Sequence, residues 1–235
     1  MIFRQLFDNA SSTYTYLIAD RYTKEAVLID PVATHISDYV ALLSQLGCRL
    51  KYSIETHVHA DHVTAGGLLR ERLGAETAVS QRCGAVCADH QLRDGDILRF
   101  GEAEEIAVIA TPGHTPGSVS YLWRERLFTG DSLLINGCGR TDFQDGDAGT
   151  LYDTITERLF RLPGETLVYP GHDYHGYRVS SIQQERSINP RLAGKTREQF
   201  IAIMHALKLA KPRLIDQAVR ANRLCGLSQA EMRQG

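Results

Sequence analysis

Thr56-His57-Val58-His59-Ala60-Asp61-His62 places three imidazoles and a carboxylate within six consecutive residues. The run leading into it, Leu50-Lys51-Tyr52-Ser53-Ile54-Glu55-Thr56, is rich in β-formers, so the histidines are expected to leave the end of a strand and face one cavity. In an extended segment His57 and His59 share a side, while Asp61 and His62 reach a neighbouring point. Neutral imidazole nitrogens and carboxylate oxygens are ligands for zinc, iron, manganese or nickel, whereas soft-metal sites want thiolates. A cluster this dense predicts a metal site.

Upstream, residues 14–19 and 26–30 are short β-rich runs that predict an antiparallel hairpin. After Pro31, the apolar residues Ile36, Tyr39, Val40, Leu43 and Leu46 recur at helical spacing and Gly47 supplies a stop, so the first quarter reads β-β-α-β. Downstream, Gly66-Gly67 opens a helix through Leu73 to Gly74, and 75–80 predicts another strand; the glycine pair would let backbone approach a ligand or ease helix entry. Runs at 97–100, 106–111, 118–123 and 127–129 predict a second sheet. Residues 150–162 carry Leu151, Ile155 and Leu159 on one stripe before Pro163-Gly164, and a strand over 166–169 follows. From Arg178 the pattern is helical without clear strands, notably over 197–209 and 212–224. The expected organisation is an α/β sandwich over residues 1–177, two sheets with helices outside, and a mainly helical appendage over 178–235 packed on it.

Three later positions repeat the pattern of a β-rich run stopping at a potential ligand. Residues 106–111 run into Pro112-Gly113-His114, 127–130 into Asp131, and 167–171 into His172. Strand ends are where rigid scaffolds present reactive side chains. In this reading His57, His59, His114 and Asp131 could form one metal site and Asp61, His62, Asp131 and His172 a second; the inventory alone does not decide between one metal and two.

The succession Thr-His-x-His-x-Asp-His at 56–62, Gly-His at 113–114, Gly-Asp at 130–131 and Gly-His at 171–172 resembles the metallo-β-lactamase superfamily. That resemblance implies an αβ/βα sandwich, two facing mixed sheets with helices outside and a metal cleft at their edge. Within the superfamily the chain is similar to glyoxalase II and, more closely, to the persulfide dioxygenase (ethylmalonic encephalopathy protein) family. The closer likeness rests on residues 11–16, Gly137-Cys138-Gly139-Arg140-Thr141-Asp142-Phe143, His172-Asp173-Tyr174-His175-Gly176, Glu185-Arg186 and Asn189-Pro190-Arg191-Leu192, with Lys211-Pro212, Ala221-Asn222 and Cys225-Gly226 in the tail. It implies a dioxygenase oxidising glutathione persulfide with O₂ and water to sulfite and glutathione. It also implies one Fe(II) per chain held by His57, His114 and Asp131, a facial triad that leaves positions open for substrate and O₂. His59, Asp61, His62 and His172 then become cavity residues that orient the ligands, or a vestigial second metal site. By position in these stretches, Tyr174 and Arg191 are the candidates for binding glutathione, whose two carboxylates favour an arginine fork. Arg140 is expected to hold the 137–143 loop through Asp142 or Asp173. The alternative is a glyoxalase II-like dinuclear hydrolase cleaving a glutathione thioester.

Composition narrows the setting. A net charge of −2 gives no basic signature for nucleic acid, and no stretch is long and apolar enough for a membrane span. The N-terminus shows no signal or import pattern, so a cytoplasmic location is expected, with a homodimer as the candidate assembly. Five scattered cysteines, Cys48, Cys83, Cys87, Cys138 and Cys225, predict free thiols in a reducing compartment. Cys83 and Cys87, four apart, are expected as buried small residues that could share a helix face. Neither Cys138 nor Cys225 has an evident base beside it, so thiol catalysis is not expected.

Overall fold

The computed structural model describes residues 1–227, which form twelve strands and six α-helices grouped into two compact units. One unit holds Met1–Leu92, Leu98–Glu105 and the chain from Lys211 onward; the other holds Arg93–Ile97 and Ile106–Ala210. Residues 178–210 therefore group with the second unit and 211–227 with the first, while 228–235 lie outside the described residues.

The first unit is built on a six-stranded sheet in the order β1-β2-β3-β4-β5-β6. β2 (Thr13–Ala19) runs antiparallel to both its neighbours, β1 (Ile2–Asp8) and β3 (Glu25–Ile29). β3, β4 (Arg49–Ile54), β5 (Glu76–Ser80) and β6 (His90–Leu92) are parallel. Every residue of β2 is buried, as suits a strand covered on both faces. The predicted hairpin is β2–β3, but the opening is β-β-β-α-β: the edge strand β1 was not expected, because Arg4 and Gln5 break its apolar run. Helix α1 (Ile36–Leu46) buries Ile36, Tyr39 and Leu43 against Leu17, Leu28 and Leu50, and ends at Gly47 as its spacing predicts. Each such side chain contributes roughly 1.5–3 kcal/mol relative to exposure, which makes this packing, not intrinsic propensity, the main support of an eleven-residue helix. Helix α2 (Gly66–Leu73) follows the histidine-rich loop, and α6 (Ile215–Asn222) completes the unit.

A second six-stranded sheet has the order β12-β11-β10-β9-β8-β7. Its strands are β7 (Ile97–Phe100), β8 (Glu104–Ala110), β9 (Val119–Trp123), β10 (Arg126–Gly130), β11 (Leu167–Pro170) and β12 (Ser180–Ser181). β8, β9 and β10 are antiparallel in turn, and β10 and β11 are parallel, so β8, β10 and β11 all end at one edge. Helices α3 (Ala148–Glu157), α4 (Ile182–Ile188) and α5 (Arg197–Ala206) belong to the second unit. Leu151 and Ile155 of α3 pack with Leu127, Val168 and Phe200. The helix expected over 150–162 is α3 followed by a short 3₁₀ turn, and the tail contains the two-residue strand β12, too short to leave a sequence pattern.

The expectation for the cysteines is corrected. Cys87 and Cys225 form a disulfide across 138 residues, leaving Cys48, Cys83 and Cys138 as free thiols. Cys83 ends a 3₁₀ turn and Cys87 lies in the turn after it, so the two share no helix face. Among the described residues no helix is long and apolar enough to cross a membrane.

Candidate metal centre

In the first unit, parallel pairing of β3 and β4 brings Asp30 beside the Glu55-Thr56-His57 strand exit. Asp30 is 1% exposed at a left-handed φ of 51°, and its carbonyl accepts a hydrogen bond from Thr15 Oγ1 at 2.7 Å. Strained backbone of this kind persists where surrounding contacts over-determine it. Its carboxylate receives the Thr56 amide at 2.7 Å and the Thr56 hydroxyl at 2.8 Å. With its one proton given to Asp30, that hydroxyl must accept from His57 Nδ1–H, 2.9 Å away. The relay Asp30–Thr56–His57 fixes the tautomer and leaves the Nε2 lone pair of His57 for a cation.

The other members of the motif gather here too. The rings of His57 and His59 are 4.1 Å apart, and those of His59 and His62 4.3 Å. His59, Asp61 and His62 offer ligand atoms all within 4.8 Å of one another, as do Asp30, Glu55 and His59. His59 Nε2 points at Asp30 Oδ1, 3.1 Å away, and Glu55 Oε2, 3.2 Å away, while its buried Nδ1 has no hydrogen-bond partner among the described residues. Burial opposes charge on this ring, but the Asp30 carboxylate and the bonds to both acids outweigh it and hold the His59 pKa well above its ordinary value. Burial pushes the Glu55 carboxyl up. Asp61 Oδ2 lies 2.8 Å from His62 Nδ1 and accepts from Thr13 Oγ1 at 3.0 Å.

The second unit presents His114 after β8, Asp131 after β10 and His172 after β11, at the one edge where those strands end. His114 Nδ1–H donates to the Arg140 carbonyl at 2.6 Å, so its Nε2 lone pair faces Asp131 Oδ2 at 3.6 Å. His172 Nε2 stands 3.5 Å from Asp131 Oδ1. These separations are too long for hydrogen bonds and close to the spacing of two ligands each about 2.1 Å from one ion. Asp131 Oδ1 is buried with no hydrogen-bond partner among the described residues. Leaving it so costs about 1–3 kcal/mol or more, a cost that a bound cation removes. The donor set therefore fits a metal. Gly139 donates its amide to the Asp131 carbonyl at 2.7 Å, and a Cβ there would collide with that oxygen and stand 2.9 Å from His114 Nδ1, so only glycine allows the approach.

The proposed substrate residues are placed as follows. Tyr174 is 68% exposed, its ring parallel to that of His172 at 6.1 Å. Arg191 is half-buried and donates to the Cys138 carbonyl at 2.7 Å. Arg140 grips Asp142 with two hydrogen bonds of 2.7 and 2.8 Å and reaches the Ala210 carbonyl. Asp173 instead accepts the amides of His175, Gly176 and Tyr177. Burial pushes the Cys138 thiol up to about 11, which leaves no thiolate for catalysis at neutral pH. Asp30 and Glu55 were not singled out from the sequence. The signal available for Asp30 was the one used elsewhere, a β-run halting at an acid, here just before Pro31.

Residues 8–92 and 87–172 match the family model of the metallo-beta-lactamase superfamily. The chain is 49% identical over 230 residues to the human mitochondrial persulfide dioxygenase ETHE1, covering 97% of this chain and 89% of that protein. It is 35% identical over 171 residues to the hydroxyacylglutathione hydrolase of Polaromonas sp. strain JS666, covering 71% of this chain and 64% of that one. The crystal structure of ETHE1 from Myxococcus xanthus aligns with a TM-score of 0.94 at 56% identity, covering 97% of this chain and 100% of that chain.

Proposed function

The chain belongs to the metallo-β-lactamase superfamily, in fold as in sequence, and from that premise we propose that it is a persulfide dioxygenase, oxidising glutathione persulfide with O₂ and water to sulfite and glutathione. The carrying observation is identity of 49% to the human enzyme, spread over 97% of the chain and not confined to the metal motif.

In this reading one Fe(II) per chain is held by His57, His114 and Asp131, the ligand set that the likeness to the persulfide dioxygenases implies. An iron held by two neutral imidazoles and a carboxylate would supply the one-electron chemistry that lets O₂ react with a sulfur nucleophile. The chain's own part is positional. Thr56 and the Arg140 carbonyl orient the two ligand rings through their Nδ1 atoms. Asp131 contributes the one negative charge of the triad, and Gly139 secures its backbone. Arg191 and Tyr174 are assigned to the glutathione moiety, the arginine for its carboxylates and the ring for packing. His59, Asp61, His62 and His172 orient and enclose the site.

The group His59, Asp61 and His62, with the 35% identical hydrolase, favours a second reading, a dinuclear thioesterase. Metal analysis of protein purified without air, paired with oxygen uptake on glutathione persulfide and a thioester control, decides between them. One iron per chain with O₂ consumed in step with sulfite is the expected result. Two metals with thioester cleavage, or sulfite formed without oxygen, overturns it. Cell fractionation and light scattering check the two remaining expectations, a cytoplasmic location and a homodimer.

A further inference from the structure

We infer that the Cys87–Cys225 disulfide is a thiol-sensitive latch that holds the histidine-rich loop in place through Asn222, a second site of sulfur chemistry in this chain. Asn222, the last residue of α6, is 6% exposed and spends its whole side chain on that loop. Its Nδ2 donates to the carbonyls of His59 and His62, both at 2.9 Å, and its Oδ1 accepts the Thr64 amide at 2.9 Å. Three residues on, the Cys225 carbonyl accepts the Gly67 amide at 2.7 Å, and a Cβ on Gly67 would stand 2.8 Å from that oxygen. The end of the described chain thus clasps both sides of the loop.

The disulfide is the covalent anchor of this clasp, beside the buried Leu227 and the hydrogen bonds just given. Helix α6 has eight residues, too few to persist alone, and buries only Ile215, Ala218 and Asn222. Cys225 joins a small cluster with Val58, Val79, Cys83, Ala85 and Ala88. A cross-link between residues 138 apart in sequence ties α6 to the 81–90 segment and restrains the unfolded chain somewhat more than a short-loop one does. A small cavity lined by His57, His59, Asn222 and Cys225 gives the loop room to shift when the clasp slackens.

The bond is open to attack from one side. Cys225 is 6% exposed, whereas Cys87 is partly exposed beside Val86, itself 86% exposed. A small thiolate attacks Sγ of Cys87, forming a mixed disulfide and expelling Cys225 as thiolate. A second thiolate then attacks the small-molecule sulfur of that mixed disulfide, releasing RSSR and the Cys87 thiolate. The balance is two RSH oxidised to RSSR and one protein disulfide reduced to two thiols. The reductant is a low-molecular-weight thiol, the class of product the proposed reaction releases. Accumulating product would loosen the loop that carries the ligands; this consequence rests on the function proposed above, the latch itself does not.

The test uses the full-length chain, with glutathione as the probe. Alkylation before reduction, read by mass spectrometry, is expected to label Cys48 but neither Cys87 nor Cys225. On reduction, amide exchange over residues 57–67 should rise about tenfold. Cys87→Ser should show that faster exchange without reductant and no further change with it. Asn222→Asp, which keeps the acceptor for Thr64 but loses the donor to His59 and His62, should match it with the disulfide intact. In cobalt-substituted protein the ligand-field bands should shift on reduction in the wild type only. Equal exchange over 57–67 in oxidised and reduced protein, or full labelling of Cys87 and Cys225 without reductant, overturns the latch, and an unmoved cobalt spectrum overturns its reach to the metal. A chain that takes up no metal defeats the functional reading instead, with the exchange result still deciding the latch.

Discussion

Thr56 lies at the start of the histidine motif, yet its work is indirect: its hydroxyl gives a proton to Asp30 and takes one from His57. Valine has nearly the same shape and neither function. Thr56→Val is therefore expected to weaken metal binding by about 10–100-fold, the usual effect of removing a ligand's hydrogen-bond partner, with folding retained. Competition against a calibrated chelator measures it; an unchanged affinity would falsify the relay. Arg191 makes the opposite kind of prediction. Arg191→Ala should raise KM for glutathione persulfide about tenfold or more, the value of a charge-assisted contact, while metal content stays at wild-type level. Because Arg191 also holds the Cys138 carbonyl, Arg191→Lys provides the control. A KM indifferent to both substitutions removes the residue from the substrate site.

At the scale of elements, the junction of β1 with α1 carries a titratable bridge. His35 precedes α1 and meets Asp8 at 2.9 Å through Nε2 and Asp38 at 2.9 Å through Nδ1. Partial burial pushes the Asp8 carboxyl up, but hydrogen bonds from Ser11 and His35 outweigh it and bring its pKa down to about 2. His35 is raised, chiefly by its hydrogen bonds to Asp38 and Asp8. The signs differ. Asp8 contributes stability above its unfolded value of 3.8 that is lost as pH falls toward about 2. His35 contributes stability below 6.5 that is lost as pH rises through its raised folded value. Melting temperature should therefore fall between neutral and mildly alkaline pH in the wild type, and less steeply in His35→Gln. Parallel slopes for the two proteins would refute the bridge.

For the whole molecule, a metal that binds the folded chain and not the unfolded one adds stability by mass action. At free iron about 100 times its dissociation constant the gain is about 2.7 kcal/mol, or roughly 5–11 °C in a chain of this size. Chelation under nitrogen should lower the melting temperature by that amount and readdition of Fe(II) should restore it. No shift in calorimetry at saturating iron would mean that the ion is not bound by the native fold. The net charge of −2 gives no long-range reason for a salt effect on this transition.

Local chemistry made much of this protein legible before any coordinates. His57, His59, Asp61 and His62 lie within one short segment, and His114, Asp131 and His172 each follow a β-rich run, so strand propensity alone predicts ligands at strand ends. The stripe of α1 and its stop at Gly47 were readable for the same reason. Other features depend on which distant segments pair. Asp30 acts on Thr56 only because β3 lies parallel to β4. Asn222 reaches His59 across 163 residues, and Cys87 finds Cys225 across 138. β1 takes its strand character from β2, its register partner along all seven residues. Propensity and periodicity are written residue by residue along the chain. The closing of long loops is decided by burial and hydrogen bonding among segments that no window of sequence contains, so the candidate ligands could be read in advance, while the contacts of Asp30 and Asn222 and the pairing of Cys87 with Cys225 came only with the fold.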